Sequence, residues 1–135
     1  MFFNGLVEGS PFVNFVSLIF IAILFTFVYM EAKHKEFVNQ IKNVVRQTDP
    51  TAVAILYGSR ATGKARKDSD WDIMILVDKP HVSIKDEQVF RNNLYDLGLE
   101  ANEAISTFVY AKDDWNSRLS FTPLFQVVKQ NGIIL

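Results

Sequence analysis

No lysine or arginine occurs in the first thirty residues, and all fourteen of the chain's basic residues come after Met30. From Phe12 to Tyr29 the chain carries no charge and consists mainly of Phe, Ile, Leu and Val. That is close to the length and character a bilayer-spanning helix requires. Lys33, Lys35 and Lys42 lie just beyond it, and the positive-inside rule then keeps the C-terminal domain in the cytoplasm. A cleaved signal peptide fits less well, since no basic residue precedes the run and no small-x-small site succeeds it. Residues 1–30 therefore read as an inner-membrane anchor or as a misassigned start. On the second reading translation begins at Met30 and the product is a cytoplasmic domain alone.

Residues 31–135 are enough for one ordinary domain. A net charge of -1 and a pI near 6.1 supply no strong field for nucleic acid, which is not an expected partner. The chain has no cysteine, so disulfides and thiolate zinc sites are excluded.

After Met30 the pattern alternates between helix and strand. Phe37, Ile41, Val44 and Val45 recur at helical spacing between Glu31 and Gln47. Asp49 and Pro50 break that helix, and residues 52–57 read as a buried strand ending at Gly58. Residues 71–77 form a second strand with Asp70, Asp72, Met74 and Leu76 on one face and Trp71, Ile73, Ile75 and Val77 on the other. A helix is expected from Ile84 to Leu97, closed by Gly98, then a strand over 104–111. Asp113 and Asp114 are expected to cap a short segment reaching Leu119, and Thr122 with Pro123 to open a last helix that stops at Gly132. This order predicts an α+β sandwich, a small mixed sheet of three to four strands with helices covering a face.

The chemistry concentrates between the first two strands. Gly58 and Ser59 end a buried strand and enter a short helix, where backbone N–H groups and a hydroxyl can receive phosphate. Taken alone the dipeptide is an ordinary strand-ending turn. Asp70 and Asp72 are two apart on a strand, so both carboxylates project from one face, about 6 to 7 Å apart along the chain. Like charges so placed repel unless a cation compensates. Hard carboxylate oxygens together with phosphate favour Mg²⁺. Arg60, beside the turn, can pair with phosphate or with Asp70. Lys64, Arg66 and Lys67 read as a solvated loop, and Trp71 and Trp115 as core.

Taken together, Gly58-Ser59, the short helix and Ser69-Asp70-Trp71-Asp72 resemble the minimal nucleotidyltransferase branch of the DNA polymerase beta superfamily. The resemblance extends more loosely over residues 31–135. It implies that Gly58, Ser59 and Ser69 belong to the nucleotide site and that Asp70 and Asp72 are catalytic metal ligands. It further implies transfer of a nucleoside monophosphate, AMP from ATP, to a hydroxyl. The acceptor is then a partner protein, a small helical protein of the HEPN type, with this chain as the antitoxin of the pair. Members of the family usually draw a third acid from the next strand. Residues 104–111 contain none: Ser106 stands near the place, and Glu103, at the strand's edge, is the candidate third metal ligand. The alternative is a catalytically degenerate protein of the same fold that binds nucleotide or partner.

Overall fold

The computed structural model describes residues 11–135, with side chains from Asn14 onward. The first ten residues of the chain lie outside the described residues. Contacts divide the chain between Glu36 and Phe37. Helix α1 (Pro11–Thr48) runs through that division without interruption, so the helix expected from Glu31 has no separate start. No proline or glycine lies between residues 12 and 48 to break it.

In the first unit every residue from Asn14 to Met30 is exposed, with Phe20 and Phe25 at 74% and 72%. A helix apolar on all sides is found in large cores and in membranes. This one is long and apolar enough to cross a bilayer.

The second unit is built on a four-stranded sheet in the order β3-β2-β1-β4. The strands are β1 (Val53–Tyr57), β2 (Trp71–Val77), β3 (Ile105–Ala111) and β4 (Ile133–Ile134). β1 is antiparallel to β2 and β4, whereas β2 and β3 are parallel. β2 is therefore interior to the sheet, and its alternating side chains feed two separate cores. Trp71, Ile73, Ile75 and Val77 pack with Phe37, Ile41 and Val45 of α1 and with Phe90 and Leu94 of the helix Ile84–Ala101, here α3. On the opposite face Met74 and Leu76 join Ile55, Tyr57, Trp115 of α4 (Lys112–Asn116) and Val128 of α5 (Pro123–Asn131). Helices thus cover both faces of the sandwich rather than one. A strand apolar at nearly every position requires that, because either face left in water would expose large side chains.

Several boundaries move for local reasons. α3 does not close at Gly98 but continues to Ala101 and ends on Asn102, held left-handed at φ 54. Gly98 instead permits close packing, since a Cβ there would lie 2.6 Å from the Glu103 carbonyl oxygen. α4 ends at Asn116 rather than Leu119; Asp113 and Asp114 sit in its first turn, with Ala111 at the cap. Thr122 and Pro123 open α5 as expected, the Thr122 hydroxyl accepting from the Phe125 N–H at 3.2 Å. β4 was not anticipated, since two residues carry no periodicity; it is registered only by pairing with Ile55 and Leu56.

Candidate active site

The turn between β1 and β2 sets the site. Gly58 has φ 72 and ψ -156, a region open essentially to glycine alone. A Cβ built there would lie 3.0 Å from Asp72 Cγ and closer still to Oδ2. The main chain at the turn therefore lies directly against the Asp72 carboxylate. Helix α2 (Ser59–Thr62) comes next, with the Gly58 carbonyl accepting from the Ala61 N–H at 3.1 Å. The leading N–H groups of any such helix lack an acceptor within it.

The strand register places Asp72 between two side chains. Tyr57 is its partner on β1 and Ser106 its partner on β3, so the three share one face with Met74 and Leu76. Asp70 lies two residues before Asp72 and is exposed. Burial, and then the neighbouring Asp70 charge, hold the Asp72 carboxyl above the usual aspartate range. Burial, then the charge of Asp72 and Tyr110, pushes the Tyr57 phenol up to about 12. Both shifts report partial burial, which disfavours negative charge there.

Arg60 reaches across to the loop before β2. Its Nε and Nη2 donate to the Ser69 carbonyl at 3.2 and 2.8 Å, and Nη2 also donates to the Lys67 carbonyl at 3.3 Å. The guanidinium lies 4.5 Å above the Trp71 ring and 3.6 Å from Glu103 Oε2, with only 5% of the side chain exposed. Planar, charged and donor-rich, Arg60 clamps α2 to the loop that delivers Asp70. Ser69 belongs to the same fastening, its hydroxyl accepting from the Arg66 N–H at 2.8 Å. Gly58, Ser59, Asp70 and Asp72 are brought together around the turn.

Glu103 belongs to the same cluster. Its Oε2 accepts from the Trp71 indole N–H at 3.0 Å, and Trp71 belongs to the face opposite Asp72. Among the described residues no group of three His, Cys, Asp or Glu side chains could hold a metal. The position beside Asp72 on β3 belongs to Ser106. Sequence reasoning missed Tyr57 as a neighbour of Asp72, although the antiparallel return of β2 after a turn at Gly58 was enough to place it there. A hollow of about 470 Å³ lies against Asp68, Ser69, Tyr95, Leu99, Glu103 and Ile105.

Residues 39–131 match the family model described as Polymerase beta, Nucleotidyltransferase. The chain belongs to that family. Among solved structures, a toxin–antitoxin crystal structure with AMP-PNP shares the nucleotidyltransferase fold at a TM-score of 0.54 and 21% identity, over 71% of this chain and 69% of that one. Two mutant structures of the toxin–antitoxin MntA-HpeT are similar. One has a TM-score of 0.53 and 18% identity over 71% of this chain and 69% of that one. The other has 0.52 and 21% identity over 72% and 69%. At these identities the likeness is one of fold. No curated protein sequence matches the chain.

Proposed function

We propose that the chain is a Mg²⁺-dependent nucleotidyltransferase that moves AMP from ATP to a hydroxyl on a partner protein, as the antitoxin of a toxin–antitoxin pair. In this reaction the acceptor oxygen bonds to the α-phosphorus, the bond from that phosphorus to pyrophosphate breaks, and the hydroxyl proton is lost. The observation that carries the reading is the packing of the Gly58 turn onto Asp72, with Asp70 beside it. A phosphate received at the Gly58-Ser59 turn lies next to both carboxylates. Family membership supports the reaction class. AMP-PNP in one neighbour supports an adenine nucleotide, and the toxin–antitoxin neighbours support a protein partner, which we read as small, helical and HEPN-type.

The donor set suits one divalent ion. Asp72 is held above its usual range by burial and by Asp70, the condition that an added cation relieves. Mg²⁺ bound there would neutralise triphosphate charge, using carboxylate, phosphate and water oxygens. Asp70 and Asp72 would orient the α-phosphate, and Gly58 and Ser59 would hold the rest of the triphosphate. A second reading, a nucleotide- or partner-binding protein without turnover, is favoured by one observation: the β3 neighbour of Asp72 is Ser106 and not an acid.

Radiolabelled transfer from ATP, run with the co-expressed product of the adjacent gene, separates the two. Label on that product, lost in Asp70→Asn and in Asp72→Asn, is the expected result; Mg²⁺-dependent ATP binding without transfer supports the second reading. We also read the exposed apolar part of α1 as a membrane anchor for a cytoplasmic catalytic unit. Mass spectrometry should find peptides from residues 1–29 in the membrane fraction. A native chain beginning at Met30 in the soluble fraction would establish the misassigned start instead.

A further inference from the structure

Four aromatic rings form a ladder on the Asp72 face of the sheet. Phe125 of α5 packs on Trp115 of α4 with centroids 5.1 Å apart, and Trp115 stacks on Tyr110 of β3 at 5.6 Å. Tyr110 in turn lies parallel to Phe108, with an interplanar angle of 2° and centroids 6.3 Å apart. Trp115 is buried, whereas Phe108, the last ring, is 39% exposed.

Alternation along β3 puts Ser106, Phe108 and Tyr110 on one face, and the register puts Ser106 beside Asp72 and Phe108 beside Met74. One side of the Phe108 ring is turned to Tyr110. Its other side is therefore turned toward Ser106 and the row that contains Asp72. Ser106 is small, so the space above it, between the open side of Phe108 and the carboxylate, is not filled by its own side chain. Phe108 and Ser106 are separated by two residues of strand, roughly 6 to 7 Å. A nucleotide whose phosphates lie at Asp72 and the Gly58 turn can place its base within that reach.

From this geometry we infer that Phe108 is the stacking platform for the nucleobase, and that the site binds purine nucleoside triphosphates as a class, the ATP of the proposed reaction among them, with little distinction between adenine and guanine in affinity. The ladder behind Phe108 fixes the orientation of its ring, so little ordering remains when a base arrives. A phenyl face offers no hydrogen-bond donor or acceptor, which makes it tolerant of base identity. It favours the larger purine ring by contact area alone. The inference rests on the nucleotide-binding reading of Asp70, Asp72 and Gly58, and deepens it by naming the substrate class.

The test compares ATP, GTP, CTP and inorganic tripolyphosphate by calorimetry on the full chain in mild detergent with Mg²⁺. Wild type should bind ATP and GTP within a few-fold of one another and more tightly than CTP. Phe108→Ala and Phe108→Leu should each weaken ATP about 5- to 150-fold, the range that loss of one base–aromatic stack implies, while tripolyphosphate binding stays unchanged. Phe108→Trp should restore or tighten ATP. Unchanged tripolyphosphate affinity also establishes that the variants are folded. ATP affinity in Phe108→Leu equal to wild type would overturn the platform and leave the phosphate site standing. Failure of wild type to bind either ATP or tripolyphosphate would instead overturn the phosphate site itself.

Discussion

Replacing Gly58 with alanine tests whether the turn and the Asp72 face of the sheet form one unit. Two penalties combine. The backbone at φ 72 and ψ -156 lies in a region that costs a residue with a side chain about 1 to 3 kcal/mol. The added Cβ also meets the Asp72 carboxylate, at 3.0 Å from Cγ and closer to Oδ2. Relieving that overlap must move either β2, which is fixed in two cores, or α2, and overpacking of this kind costs about 1 to 3 kcal/mol. The sum, about 2 to 6 kcal/mol, is a large share of the stability of a domain this size. It corresponds to a fall in Tm of roughly 10 °C or more. Thermal unfolding of the full chain in mild detergent, monitored by circular dichroism, measures it. The same substitution in an Asp72→Ala background isolates the contact, since the backbone penalty remains there and the overlap does not. A coupling of about 1 to 3 kcal/mol between the two positions is expected. Equal cost of Gly58→Ala in both backgrounds would refute the contact, and a Tm within about 2 °C of wild type, well under the shift for 1 kcal/mol, would refute both parts.

The site carries three further expected outcomes. The Asp72 carboxyl is held above its unfolded value of 3.8, so its contribution to stability is full below that pH and is lost as pH rises through the folded value. Asp72→Asn should therefore raise Tm at neutral pH and lose that advantage below about pH 3.8; a Tm gain independent of pH would contradict the burial argument. Glu103→Gln keeps an acceptor for the Trp71 indole but removes the charge beside Arg60, so it should lower stability by about 1 to 3 kcal/mol with Mg²⁺ affinity unchanged; weaker Mg²⁺ binding at unaltered Tm would return Glu103 to the ligand set. Ser106→Asp places a third carboxylate beside Asp72 and should tighten Mg²⁺ and raise transfer while lowering Tm in the absence of metal; no change in Mg²⁺ affinity would show that the β3 position does not face the ion.

Much of the fold was legible because β2 states its own position. Seven consecutive residues, Trp71–Val77, are apolar at six places and acidic at one. Such a strand must be covered on both faces except where Asp72 opens one end. The Thr122-Pro123 start of α5 was legible for a local reason, a hydroxyl cap and then a residue that needs no N–H partner. What escaped was decided by tertiary contact. Gly98 reads as a helix stop in sequence, but it is there because α3 packs against the main chain at Glu103. β4 exists only through its pairing with β1.

The candidate site divides in the same way. The placement of Gly58 against Asp72 was readable because it depends on backbone conformation and on side-chain alternation, both local properties. For Arg60 and Glu103 a charged residue near a charged site invites the expectation of a direct pairing, whereas what places both in the structure is contact with Trp71. Its indole offers a donor at its rim, taken by Glu103, and a negative face, taken by Arg60. Both charges therefore go to the Trp71 side of β2. The alternation that sends Asp72 to one face sends Trp71 to the other, so the ion pair that steadies the Asp70 loop is separated by the strand from the carboxylates it positions. Arg60 can then rigidify the loop through the Ser69 and Lys67 carbonyls.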